Sequence, residues 1–90
     1  MNSQILITPN EDGTVHHLTG ESTVVTEIIT HRDDHDDCYE VSVKWPNRSE
    51  WIYKVVASDW HQILADGIMS GSLGRIANGA KREALRSHRV

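Results

Sequence analysis

The stretch THRDDHDDCYE, residues 30–40, gathers two histidines, four aspartates and Cys38, the one cysteine of the chain. Imidazole and thiolate are zinc ligands, and His31-x3-His35-x2-Cys38 places three of them close together, with aspartate oxygens beside them. Structural zinc, however, takes four ligands at recurrent spacings, often as two cysteine pairs. Neither Cys-x2-Cys nor His-Glu-x2-His occurs, and calcium would need alternating Asp/Asn positions with a glycine. The stretch therefore predicts no metal and no cofactor. A catalytic centre needs an oriented nucleophile in a water-excluding pocket, which an aspartate run in a turn does not supply. His16, His17 and His61 have no partners at triad-like spacing, so the chain reads as a non-enzyme. Two readings remain for the stretch: a solvated turn, or an acidic contact surface in which Asp33, Asp34, Asp36, Asp37 and Glu40 meet a basic partner.

Two other groups could bind. Trp45, Trp51, Tyr53 and Trp60 stand near basic residues and could stack on bases, but their predicted inward direction assigns them to the core. Ser72-Leu73-Gly74-Arg75 opens a predicted helix, where backbone N–H groups can hold an anion, yet without phosphate-loop spacing it reads as a cap. Arg75, Lys81 and Arg82 are the alternative nucleic-acid contacts.

These groups are set on a chain of 90 residues, one domain over 1–90, with 38% hydrophobic content and no phenylalanine. Charge is divided. Residues 1–50 carry ten acids against three bases, and residues 51–90 three acids against six. An acidic half attracts basic protein surfaces, while a basic tail favours nucleic acid. No apolar run reaches the roughly 18 residues of a membrane span. The N-terminus lacks a leader pattern, and a lone cysteine suits a reducing cytoplasm.

The elements follow from pattern. ILIT and TVHHLT flank the turn signal Asp12-Gly13 and predict a hairpin over 1–20. STVVTEIITH, residues 22–31, is β-branched and predicts a strand that ends at the acidic stretch. From Cys38 to Trp45, Tyr39, Val41, Val43 and Trp45 face one way; Cys38, Glu40, Ser42 and Lys44 face the other. Pro46–Ser49 is a loop, and Glu50–Val56 returns with Trp51, Tyr53 and Val55 inward. Ser58 is the predicted N-cap of a first helix, with Trp60, Ile63, Leu64 and Gly67 on its apolar stripe. Gly67 and Gly71 end it. Ser72 caps a second helix with Leu73, Ile76, Ala77, Ala80 and Ala84 inward, and Lys81, Arg82 and Arg86 in its last turns. The expected fold is α+β: an antiparallel sheet of four to five strands, with a weakly patterned N-terminal hairpin over 1–20 and the sheet over 21–56, and two C-terminal helices over 58–86 packed on one face.

Two family resemblances attach to these residues. Residues 21–82 resemble the KTSC domain through the return strand Trp51-Ile52-Tyr53 and the phrase Ser72-Leu73-Gly74-Arg75-Ile76-Ala77-Asn78. That resemblance implies the same fold and a module binding RNA or a partner protein. The acidic insert at 32–37, and Ile76 and Ala77 in place of an aromatic, depart from the pattern. Residues 58–86 also resemble the C-terminal helices of a small phage anti-CRISPR protein of the type I-F kind, through Ser70–Asn78. That likeness implies a non-catalytic inhibitor acting in the bacterial cytoplasm. Such an inhibitor binds the basic backbone subunits of a CRISPR surveillance complex and blocks target DNA binding. No contact residue carries over from that likeness; charge alone would draw the acids Asp33, Asp34, Asp36, Asp37 and Glu40 to such subunits, and this is the leading expectation.

Overall fold

The computed structural model describes residues 5–9, 15–20, 22, 25, 27–33 and 35–90. It is α+β. Among the described residues six strands form one antiparallel sheet: β1 (Leu6–Pro9), β2 (Val15–Thr19), β3 (Glu27–Asp33), β4 (Cys38–Lys44), β5 (Glu50–Val56) and β6 (Arg86–Arg89). Sheet order equals chain order. Two helices, α1 (Ala57–Ser70) and α2 (Leu73–Glu83), stand between β5 and β6 and cover one face. No helix of the described residues is long and apolar enough to cross a membrane. The Asp12-Gly13 turn lies outside the described residues, but the strands expected on either side of it do pair, with Leu6 opposite Thr19.

Alternation sorts the hairpin residues as its pattern predicts. Val41, Val43, Tyr53 and Val55 are buried with Leu18 and Ile28, and Trp60, Leu73, Ile76, Ala77 and Ala80 close the core from the helices. Cys38 keeps the register of the predicted polar face but is buried there. It is 2% exposed because the turn before it folds over it, and its thiol donates to the Asp36 carbonyl at 3.2 Å.

The helices differ from expectation at their ends. β5 runs straight into α1, whose N-cap is Val56 with no side-chain bond, so Ser58 lies inside the first turn. The Ala57 N–H is satisfied instead by the Asp37 carbonyl at 2.9 Å. Gly67 does not end α1. The cap is Gly71, at φ 63°, where the left-handed backbone favours glycine, and the N–H groups of Gly71 and Ser72 close on Ile68 and Gly67. Ser72 caps α2 as predicted, accepting from the Arg75 N–H at 3.1 Å.

The sheet gains its sixth strand where a helix end was expected. α2 stops at Glu83; Ala84 is extended, and Arg86 pairs with Lys54 rather than sitting in a last helical turn. Arg-Ser-His-Arg carries no strand propensity and is exposed on both faces, so only the ladder with β5 could reveal it. Strand β3 likewise runs through Arg32 and Asp33, paired to Tyr39 and Cys38, past the expected break.

Two substitutions test this packing in opposite directions. Trp60 is 2% exposed, and Trp60→Ala should cost about 3–5 kcal/mol, a large fall in thermal midpoint for a domain of this size. Thr30 is buried, and its hydroxyl has no hydrogen-bond partner among the described residues, so it carries a desolvation cost of about 1–3 kcal/mol. Thr30→Val removes that hydroxyl at nearly constant shape and should raise the midpoint in the same calorimetric measurement.

Candidate functional site: an acidic turn and an aromatic groove

The acidic turn is tied to the domain. Arg32, at the end of β3, pairs with Asp37 and lies 5.1 Å from the centre of the Tyr39 ring. Lys54 of β5 reaches the same turn, pairing with Asp36 and, at 3.4 Å, with Asp33. Asp33 also accepts from the His35 N–H at 3.1 Å. Asp37 adopts φ 51°, a left-handed conformation that aspartate tolerates better than most residues. Tyr39 carries the linkage onward, its hydroxyl 3.2 Å from His61 Nε2 on α1.

Of the five acids expected to meet a partner, Asp33, Asp36 and Asp37 therefore have cations of this chain against them. Asp34 lies outside the described residues. Glu40 is half-buried on the helix-free face, where it borders a hollow of about 640 Å³ with His31 and Ser42. His31, His35 and Cys38 are not drawn together: the histidines are exposed and the thiol is turned inward to Asp36. Among the described residues no group of three or more His, Cys, Asp or Glu could hold a metal ion.

The aromatic residues divide. Trp60 and Tyr53 belong to the core, as expected. Trp45 and Trp51 are half-buried and line an open groove of about 850 Å³ with Tyr53, Lys81, Ser87 and the 46–49 turn. The rings are fixed against one another. Trp45 Nε1–H donates to the Tyr53 hydroxyl at 3.2 Å, and Trp51 and Tyr53 lie with centroids 6.5 Å apart and planes within 7°. Burial pushes the Tyr53 hydroxyl above its ordinary value, against the bond from Trp45, so it stays a neutral donor and acceptor at physiological pH. The Lys81 ammonium stands 5.7 Å from the Trp45 ring centre.

The 46–49 turn that lines the groove is closed by its own hydrogen bonds. Trp45 N–H donates to the Ser49 carbonyl at 2.9 Å and Arg48 N–H to the Trp45 carbonyl at 3.1 Å. Asn47 Oδ1 accepts from both the backbone and the hydroxyl of Ser49. Opposite, β6 supplies Ser87, the cross-strand partner of Tyr53.

Of the three alternative nucleic-acid contacts, Lys81 alone reaches the aromatics. Arg75 forks onto Asp66 of α1, with Nε at 2.6 Å, so the start of α2 offers a cap and no spare cation. Arg82 pairs with Glu83 and borders a different hollow, beside Asp59 and Asp66. Trp45 and Trp51 read as core in sequence because their alternation is correct. Their nearness to Pro46–Ser49 is the signal that they sit at the end of the sheet.

No family model matches the chain, and no curated protein or solved structure matches it either.

The turn gives a pH prediction. The hydrogen bond from Lys54, helped by its charge, lowers the Asp36 carboxyl below its ordinary value of 3.8. A carboxyl lowered on folding adds stability that is complete above the ordinary value and is lost as pH falls through the folded one. Asp36→Asn should lower the thermal midpoint slightly at pH 7, and the gap to wild type should close as the pH is taken below 3.8.

Proposed function

We propose that the chain is a non-catalytic binding module whose aromatic groove takes a nucleotide unit, the base against Trp45 and Trp51, which Tyr53 braces from the core, and the phosphate at Lys81. The observation that carries this reading is the Lys81 ammonium over the Trp45 ring at the groove. A group of aromatic rings attracts cations, but here the chain's own cation already stands there. A second cation would be repelled. A flat ring bearing negative charge meets both requirements, since each base has a π face to stack and each nucleotide a phosphate to pair. Lys81 is exposed and has no acid paired to it among the described residues, so its charge is available to a ligand.

This reading follows the KTSC-like resemblance and places the module in the cytoplasm, where Cys38 also stays reduced. The inhibitor reading ranks behind it. There the acids at 33–40 would dock on the basic subunits of a type I CRISPR surveillance complex. The internal pairs of Asp33, Asp36 and Asp37 reduce the negative potential such docking would draw on.

Tryptophan fluorescence tests the choice. Short single-stranded RNA should quench the emission of the wild type, and Trp51→Ala should weaken binding by about 1–3 kcal/mol, the usual worth of one base stack. Lys81→Gln should weaken binding and reduce its salt dependence. Absence of quenching, with loss of target DNA binding by a surveillance complex mixed with the chain, would give the function to the inhibitor reading.

A further inference from the structure

Nine lysines and arginines occur in the chain. Acids hold five of them: Arg32 by Asp37, Lys44 by Glu27, Lys54 by Asp33 and Asp36, Arg75 by Asp66, and Arg82 by Glu83. Arg48, Lys81, Arg86 and Arg89 have no ion pair among the described residues. Of these four, Lys81 lines the aromatic groove, and the register of β6 sets Arg89 opposite Trp51. Lys81 stands over Trp45, Trp45 bonds to Tyr53, and Tyr53 lies parallel to Trp51. Trp51 pairs across the sheet with Arg89. Cross-strand partners project from the same face, so Arg89 stands beside Trp51 on the groove side of the edge strand, exposed to solvent. The result is a continuous run of neighbours, cation, three aromatic rings, cation.

We infer that the groove binds a single-stranded oligonucleotide across at least two phosphates, with Arg89 as the second phosphate contact and β6 as the element that positions it. This deepens the nucleotide reading above and rests on it. A mononucleotide carries one phosphate group and leaves one of the two cations unused. A duplex keeps its bases stacked inside and offers no ring face to Trp45 or Trp51. Arg86 is the internal contrast. It occupies the same strand but, three residues away, the opposite face of the sheet, across from Lys54, and its charge acts on Asp36 rather than on the groove.

Salt-dependent titration followed by tryptophan fluorescence tests the inference. The ligands are a single strand of about eight nucleotides, within the usual site size, as RNA and as DNA; the same strand annealed to its complement; and the matching mononucleotide. Either single strand should bind at least tenfold more tightly than the mononucleotide and the duplex at low salt. Each phosphate contact on a single strand contributes about 0.7 to the slope of log affinity against log salt. Arg89→Gln should therefore flatten the slope by about 0.7 and Arg86→Gln should leave it unchanged. Both side chains are exposed and the ladder of β6 uses backbone groups, so both variants should keep the wild-type circular dichroism spectrum. Equal affinity for strand and mononucleotide, or an unchanged slope in Arg89→Gln, overturns the two-phosphate inference and leaves the groove reading standing. Failure of every ligand to bind the wild type overturns both.

Discussion

The position of α2 depends on two places where a glycine stands because any larger residue would collide. A Cβ on Gly67 of α1 would lie 2.0 Å from Cγ1 of Ile76, and one on Gly79 of α2 would lie 2.8 Å from Cγ2 of Ile63. Neither glycine is needed for its backbone angles. Both are needed for approach, and each accepts the cost of glycine inside a helix to let the two axes close. With α1 and α2 this near, Leu73, Ile76, Ala77 and Ala80 are completely buried against the sheet. Lys81, the next residue, is carried to the edge of that contact and over Trp45. The groove is thus a consequence of helix packing as much as of the strands that line it.

Two helices of 14 and 11 residues cannot cover six strands. They lie over β4 and β5, and their cover stops short of the 46–49 turn. Trp45 and Trp51 are left at that margin, held by Tyr53 and the turn but open on one side. Charge follows the same division. Among the described residues, Glu27, Asp33, Asp36 and Asp37 have cations folded onto them, whereas the basic residues without an ion pair, Arg48, Lys81, Arg86 and Arg89, lie at the 46–49 turn, near the end of α2 and along β6. Net charge alone, at −4, describes neither surface.

The central hairpin was legible because its alternation is a local property: Val41, Val43, Tyr53 and Val55 point inward as their spacing requires. The Ser72 cap was legible for the same reason, since it involves residues three apart. What escaped sequence reading depends on partners distant in the chain. The β6 strand exists only through β5, and the burial of Cys38 only through the turn that covers it. The α1 N-terminus takes its hydrogen bond from Asp37, twenty residues earlier, so a serine of good capping type was passed over. Trp45 and Trp51 do pack against the core, but only partly buried, because alternation reports the face of a sheet and not how far the covering layer extends along it.

Sheet order equal to chain order has a kinetic meaning. Pairings from β1 to β5 join neighbouring segments, so each closes a short loop at small entropic cost and can form early. The β5–β6 pairing is different, for residues 57–85 lie between its strands and must already be compact before the ends meet. It is also four residues long and exposed throughout. Such a strand opens locally at a lower free energy than the whole domain unfolds. One wall of the groove therefore belongs to a short, exposed edge strand that can part from the sheet while the core stays folded.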